Sequence, residues 1–206
     1  MDHVVITIAR SYGSGGRILG QRLAEELNIN CYDKQLLRMA SDQSGINEAL
    51  FGQVDEKIKS MPLFRIAKKI YKDEVFPPER DEYTSDDNLF NYQAKVIKEL
   101  ASEESCIIIG RCADFVLKDT KDVLRMFLYA PQEYCVEQVI DLEGGYRKDI
   151  VKKIEMKDVL RAQYYKYHTG NDWYDARNYD LCLNTSTLDY IDLSELVKKY
   201  IELKRK

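Results

Sequence analysis

Short apolar, β-branched runs alternate along the chain with longer segments whose apolar residues recur every three or four positions. The first pattern predicts strands buried on both faces, and the second predicts amphipathic helices. Runs of the first kind occupy residues 4–9, 29–32, 105–109, 123–130 and 179–184. Because strands that alternate with helices pair in parallel, we predict an α/β fold with a five-stranded parallel sheet and helices on both faces.

The first predicted strand leads into a glycine-rich segment. Four of the ten glycines fall between Gly13 and Gly20, and helical periodicity follows to about Asn28. A strand, a glycine loop and a helix in succession favour an anion site, because loop amides and the helix N-terminus point at one place. A tight turn in an ordinary βα unit explains the spacing equally well. The nucleotide-binding candidates are Gly13, Ser14, Gly15, Gly16, Arg17 and Ile18.

This loop departs from the Walker A pattern, which is Gly, four residues, Gly-Lys and then Ser or Thr. With Gly15 as the last glycine of the pattern, Gly16 stands at the lysine position and Arg17 follows it. The hydroxyl that binds Mg²⁺ is therefore missing there. Arg17 offers positive charge to a phosphate, although a guanidinium and an ammonium are not equivalent in such a site.

Charged residues follow two further strands at the edge where ligands of open α/β sheets collect. Asp33 comes just after the second strand, and Arg111 follows Gly110 after the third. We interpret Arg111 as a substrate-phosphate ligand rather than a surface arginine of a turn. Asp33 is a candidate Mg²⁺ or ribose partner and equally a candidate N-cap of a helix at 34–40. Asp114 is a second candidate for an indirect contact to the metal.

A long helical segment from Asp149 to about Tyr167 places Lys153, Lys157 and Arg161 on one face. Such a basic face is usually no more than solvated charge. The alternative is a cationic lid, hinged at Gly144-Gly145, that closes on phosphates and excludes water.

The region before the third strand has a looser pattern. Periodicity predicts helices at 46–59, 62–72 and 92–102. The segment at 75–91 is rich in proline and charge, so we predict an exposed loop with a composition typical of disorder.

Composition limits the classes of function. The chain is 45% hydrophobic and 32% charged, with a net charge of −4, which argues against binding nucleic acid polymers or anionic membranes. The apolar runs are too short to span a bilayer, and the charged start argues against a signal peptide. Five cysteines without C-x-x-C and two histidines argue against zinc and favour a reducing cytoplasm. The oligomeric state stays open.

Five segments in order resemble the cytidylate kinase-like family, within the P-loop nucleoside monophosphate kinases. They are ITIARSYGSGGR at 6–17, YDKQLL at 32–37, IIIGRCADFVL at 107–117, the D-x-x-R of Asp158 and Arg161, and YDLCLNTS at 179–186. Their order and spacing carry the resemblance over nearly the full length. It implies a single domain with a P-loop NTPase three-layer α/β/α fold. The implied divisions are a core at 1–40, 92–142 and 176–206, a helical acceptor-binding insert at about 41–91 and a lid at about 143–175.

The resemblance also implies an activity and its residues. The activity is phosphoryl transfer from ATP, with Mg²⁺, to a nucleoside monophosphate that resembles cytidylate. The glycine loop would hold the ATP phosphates. Arg111 would bind the phosphate of the acceptor nucleotide, Asp158 and Arg161 its nucleoside, and Asp33 would begin the acceptor-binding insert and weakly assist the metal. The candidate catalytic residues are Arg17, Arg111 and Arg161.

The sequence departs from the family pattern at a second place besides the loop. The family places an arginine near the transferring phosphate on the helix after the fourth strand, where residues 132–135 are Gln, Glu, Tyr and Cys. Two alternatives to a nucleotide kinase therefore stay open. One is a nucleotide-binding or sensor protein with weak or no catalysis, and the other is a kinase of a non-nucleotide small molecule.

Overall fold

The structure is a computed structural model that describes residues 3–57 and 74–204, with only the backbone described at 53–57. The helix predicted at 62–72 lies outside the described residues. Five strands form one sheet in the order β2-β3-β1-β4-β5, and every neighbouring pair is parallel. The strands are β1 Val5–Arg10, β2 Asn30–Tyr32, β3 Cys106–Ile109, β4 Val123–Tyr129 and β5 Leu181–Asn184. The predicted five-stranded parallel sheet is confirmed.

Helices cover both faces of this sheet. They are α1 Gly16–Leu27, α2 Gln35–Ser44, α3 Glu48–Lys57, α4 Asp86–Glu103, α5 Ala113–Val116, α6 Gln132–Glu143, α7 Arg147–Thr169 and α8 Tyr190–Lys204. Ile6 and Ile8 of β1 pack on one side with Leu23 of α1 and Val197 of α8. Val5 packs on the other side with residues of α2, α4, α5 and α7. Alternate residues of a strand point to opposite faces, so a β1 that is apolar throughout requires a helical layer on each side.

Strand order fixes where a ligand has to bind. β1 lies between β3 and β4, so the chain must cross over β1 on its way from β3 to β4. In open α/β sheets, ligands bind outside the carboxyl ends of the strands at such a reversal. The carboxyl ends of β1, β2 and β3 lead to the glycine loop, to Asp33 and to Gly110-Arg111.

The predicted loop at 75–91 is wrong in its second half. α4 begins at Asp86, where the Ser85 hydroxyl accepts a hydrogen bond from the Asn88 amide at 3.2 Å. Asn88 is buried, and its side chain bonds the Phe76 amide at 2.7 Å and the Tyr83 carbonyl at 2.7 Å. The charged sequence therefore forms a helix here, because the buried side-chain amide of Asn88 supplies hydrogen-bond partners to backbone groups of the segment before the helix.

α7 is one continuous helix of 23 residues. Ile150 and Ile154 in its first half pack against α6, and Tyr164 and Tyr165 in its second half enter the main core. None of the helices in the described parts of the chain is long and apolar enough to cross a membrane. The boundaries of an insert and a lid stay predictions.

Candidate active site

Glycines shape the loop between β1 and α1. Gly13 and Gly15 have φ angles of +83° and +73°, in the left-handed region that favours glycine. A Cβ on Gly13 would lie 2.6 Å from the carbonyl oxygen of Cys135 in α6, and one on Gly15 would overlap the hydroxyl of Tyr190 in α8. The loop is therefore held between α6 and α8 in a conformation that side chains at these two positions would prevent.

Hydrogen bonds from neighbouring strands fix the loop further. The buried Ser14 hydroxyl lies 2.9 Å from the carbonyl oxygen of Ser11 and 3.2 Å from that of Leu128 in β4. Thr185, just past β5, donates its hydroxyl to the Ser14 carbonyl at 2.9 Å. α1 has no side-chain cap, so no capping side chain accepts from the amide N–H groups of its first turn. A rigid loop that ends in unused amides at a helix N-terminus fits an anion.

Two residues of α7 hold the end of β1. The Asp158 carboxylate accepts from the Tyr12 amide at 2.7 Å and from the Arg161 guanidinium at 3.3 Å. Arg161 also donates to the Arg10 carbonyl at 2.9 Å. Burial raises the pKa of Asp158 above its ordinary value, and Arg161 opposes that shift. The predicted D-x-x-R pair therefore lies beside the loop, and both of its side chains form hydrogen bonds with the backbone where β1 leads into the loop.

A cluster of guanidiniums lies at the ends of β1, β2 and β3. Arg17 binds Asp33 with two nitrogens, Nε at 2.8 Å, while Arg10 reaches the same carboxylate at 3.5 Å. Burial, and then the charges of Arg161, Arg111 and Arg17, together lower the pKa of Arg10 to about 9, and Asp33 opposes them. The predicted residues Arg17, Asp33, Arg111 and Arg161 thus act electrostatically on one further arginine, Arg10. The sequence pattern alone assigns Arg10 no role.

Arg111 sits on an unusual backbone. Gly110, Arg111 and Cys112 have φ angles of +79°, +58° and +54° in succession. A non-glycine residue held in the left-handed region costs about 1–3 kcal/mol, and such strain clusters at ligand sites. The strained backbone and the electrostatic effect on Arg10 are therefore both found at Arg111, the residue that the sequence predicted as a site residue.

Asp33 does not act as a helix cap. α2 begins at Gln35 with Lys34 at the N-cap and no side-chain cap, so that alternative is wrong. Both carboxylate oxygens of Asp33 face guanidiniums, and the described ranges contain no group of three or more His, Cys, Asp or Glu residues that could hold a metal ion. The side chains here do not fit a protein-held Mg²⁺ site, and Asp33 as a weak metal partner stays a prediction that its ion pairs argue against.

Asp114 lies inside the fold. The side chain is buried, and it accepts a hydrogen bond from the Tyr165 hydroxyl at 2.6 Å. Burial raises the pKa of this carboxyl to about 6. Asp114 is therefore a buried partner of α7, and the predicted indirect contact to a metal does not fit this environment.

The predicted basic face of α7 and the nearby Arg147 make different contacts. Arg147 pairs with Glu133 and Glu137 of α6, and Lys153 pairs with Glu143. Arg161 of this face instead donates to the Arg10 carbonyl at the end of β1. Gly144 and Gly145, with φ angles of +70° and +112°, separate α6 from α7. The lid stays a prediction, and two of the cations in this region, Arg147 and Lys153, are paired with carboxylates of α6 in this arrangement.

A cavity of about 310 Å³ opens beside the loop, at the end of β4 and between α6 and α7. This volume is at the lower end of the range for small-molecule pockets. Polar and aromatic groups converge on it from Ser11, Gln132, Glu155, Asp158 and Tyr174.

Comparison with known proteins gives concordant results. The chain is 24% identical over 200 residues to a cytidylate kinase of Methanococcoides burtonii, covering 97% of each protein. It is 26% identical over 208 residues to a cytidylate kinase of Methanopyrus kandleri, covering 97% of this chain and 93% of that protein.

Solved structures extend the comparison to the fold. An uncharacterized protein from Eubacterium ventriosum superposes with a TM-score of 0.70 at 25% identity, covering 97% of this chain and 99% of that one. A shikimate kinase from Bacteroides thetaiotaomicron superposes with a TM-score of 0.56 at 13% identity, covering 97% and 98%, which shows the P-loop kinase fold alone. The family model of the cytidylate kinase-like family matches residues 5–187. The chain belongs to the cytidylate kinase-like family.

Proposed function

We propose that this protein transfers a phosphoryl group from ATP to a nucleoside monophosphate, with an acceptor that resembles cytidylate. One observation carries the proposal: a rigid glycine loop with an uncapped helix start lies beside a cluster of arginines at the carboxyl ends of β1, β2 and β3. The membership of the family supports the same activity.

The donor phosphates would bind the loop. Backbone amides of residues 13 and 15–18 would supply the donors, because the first turn of a helix has N–H groups without partners inside the helix. The Ser14 amide already donates to the Ser11 carbonyl. Arg17 would add positive charge by breaking its ion pair with Asp33 and binding a phosphate instead. Its side chain is 54% exposed, and an exposed ion pair contributes only about 0.2–1 kcal/mol, so the exchange costs little.

The acceptor would bind at the ends of β2 and β3. Arg111 would bind its phosphate, with Asp33, Asp158 and Arg161 on the nucleoside side. Phosphoryl transfer depends on positioning and charge neutralisation more than on covalent steps by the protein, and arginines supply both. Mg²⁺, when bound, neutralises phosphate charge, and its ligands would come mainly from the nucleotide and water.

An acceptor screen tests the proposal. Release of ADP is measured with a panel of nucleoside monophosphates and of small molecules with a free hydroxyl. We expect the highest kcat/KM with a pyrimidine monophosphate, and we expect Arg111→Ala to raise the KM of the acceptor. The matched control is Arg38→Ala, a largely exposed arginine of α2, which should leave both constants unchanged. Failure of every acceptor to accelerate ADP release would refute the proposal.

A nucleotide-binding protein without catalysis is the second candidate. Gly16 at the position of the Walker lysine favours it. This candidate predicts that calorimetry detects binding of ATP or cytidylate while no acceptor is phosphorylated. Turnover with a hydroxyl compound alone would instead identify a kinase of a non-nucleotide small molecule.

A further inference from the structure

We propose that Arg10 replaces the missing Walker lysine and that its guanidinium binds the phosphoryl group in transit between donor and acceptor. The inference rests on the proposed function. It assigns a catalytic residue that the family resemblance did not identify, and it explains why glycine stands at position 16.

The sequence shows a reciprocal exchange at two positions. Counting back from Gly15, the first glycine of a Walker A pattern falls at position 10, and the lysine falls at position 16. This chain has Arg10 at the glycine position and Gly16 at the lysine position. The cation and the glycine have therefore exchanged places.

Packing makes the two cations mutually exclusive. A Cβ on Gly16 would lie 2.7 Å from Cγ and 2.8 Å from Cβ of Arg10, which is closer than real Cβ contacts. Cβ of Arg10 is fixed by the backbone of β1, so it cannot move aside as the end of a flexible side chain can. Gly16 is the first residue of α1 and is not among the positive-φ glycines, so its backbone does not require glycine. Gly16 is needed for the space that Arg10 occupies.

The guanidinium lies on the acceptor side of the loop. A Cβ on Gly110, at the end of β3, would overlap Nη1 of Arg10, and Nη2 lies 3.5 Å from Asp33 beyond β2. The Arg10 side chain thus runs from the base of the donor loop to the strand ends that carry Asp33 and Arg111. With the donor on the loop and the acceptor at Arg111, as proposed above, a group in transit would pass this guanidinium.

The balance of charge around Arg10 favours the binding of a dianion. Arg10, Arg17 and Arg161 share the two carboxylates Asp33 and Asp158, and Arg17 holds Asp33 more closely than Arg10 does. Arg10 is only 21% exposed, so water compensates its charge poorly. A phosphoryl group supplies the missing negative charge and accepts two parallel N–H bonds from a guanidinium.

The test combines single variants with an exchange. Arg10→Met keeps the length of the stem without the charge, and Arg10→Lys keeps a charge. We expect R10M to lower kcat about 10²–10³-fold, as for loss of one preorganised donor at developing charge, and R10K to retain at least tenfold more activity than R10M. R10M should also weaken binding of inorganic tripolyphosphate at least tenfold in calorimetry. Arg38→Met is the matched control and should change neither quantity.

The exchange variant tests the packing argument. Gly16→Lys alone should lose activity because its stem collides with Arg10, whereas the double variant Arg10→Gly with Gly16→Lys should exceed G16K at least tenfold in tripolyphosphate affinity. Thermal unfolding establishes that each variant is folded. If R10M does not fold, the comparison of the double variant with G16K tests the inference instead.

Two results would overturn the inference. One is wild-type tripolyphosphate affinity in folded R10M, and the other is a double variant no better than G16K. Because tripolyphosphate binding needs no acceptor, the inference can fail while the acceptor screen succeeds, and the screen can fail while Arg10 still binds phosphate.

Discussion

Asp158 is predicted to hold the donor loop rather than the acceptor alone. Its carboxylate is 15% exposed and accepts from both the Tyr12 amide and Arg161. Asp158→Ala removes both hydrogen bonds and leaves a loop amide and a buried guanidinium without this acceptor. Asp158→Asn keeps one oxygen for the Tyr12 amide and loses the negative charge.

The magnitude follows from these contacts. A hydrogen bond to a charged group contributes about 1.5–3 kcal/mol to stability, and the cost of burying the carboxylate offsets part of the sum. We therefore expect D158A to lower the free energy of unfolding by about 3 kcal/mol, and D158N by about half of that. If about 1.4 kcal/mol of the loss falls on the loop conformation that binds phosphate, the Kd of ATP rises about tenfold.

Three measurements separate the roles of Asp158. Urea denaturation gives the free energy of unfolding, calorimetry gives the Kd of ATP, and initial rates give the KM of the acceptor. The matched control is Asp149→Asn, an exposed carboxylate in the first turn of the same helix that does not line the cavity. Unchanged stability and unchanged ATP affinity in D158A, with a raised KM for the acceptor alone, would refute the role in holding the loop.

Three further predictions concern the surroundings of the loop. Asp33→Asn should tighten ATP binding about two- to fivefold in calorimetry, because Arg17 then binds phosphate without first breaking an ion pair with a carboxylate. Weaker binding of ATP by D33N would contradict this. Burial raises the pKa of Asp114 to about 6, above the ordinary value of about 4, so its contribution to stability falls as pH rises from about 4 to 6. Asp114→Asn should therefore gain about 2 kcal/mol relative to the wild type between pH 4.5 and 7.5 in urea denaturation, and parallel pH profiles would disprove the assignment. Thr185→Val removes the hydroxyl that binds the Ser14 carbonyl and should lower the free energy of unfolding by about 1 kcal/mol, with a raised Kd for ATP. A Kd at the wild-type value would show that this bond does not hold the loop.

The sheet and the position of the site were predictable from the sequence. β-branched apolar runs bury both faces of a strand, so residues such as Ile6 and Ile108 located the strands without knowledge of their neighbours. Once the strands are parallel, the residues after them must meet at one edge, which brought Asp33, Arg111 and the glycine loop together.

Arg10 was not predictable from local pattern. The course of its side chain depends on the missing Cβ atoms of Gly16 and Gly110, and Gly110 lies a hundred residues along the chain. The signal was present in the spacing, as an arginine five residues before Gly15 where a Walker A pattern has glycine. Spacing alone does not show that the arginine and Gly16 compete for one space.

The partners of the basic face on α7 were not predictable for a related reason. Helical periodicity places Lys153 and Arg161 on one face, but it does not say which element packs beside that face. Glu143 and other carboxylates of α6 lie next to the first half of α7, and they pair with its cations. The contacts of a helix face are decided by tertiary packing, which a periodicity in one segment cannot report.

Phosphorus NMR tests the central claim most directly. The purified protein is mixed with ATP, Mg²⁺ and cytidylate, and the spectrum is followed over time beside the same mixture with R10M. Wild-type protein should convert the monophosphate resonance into the two coupled resonances of a nucleoside diphosphate, with R10M slower by a factor of about 10²–10³. A spectrum that shows only unchanged cytidylate, with or without hydrolysis of ATP to inorganic phosphate, would contradict phosphoryl transfer at this site.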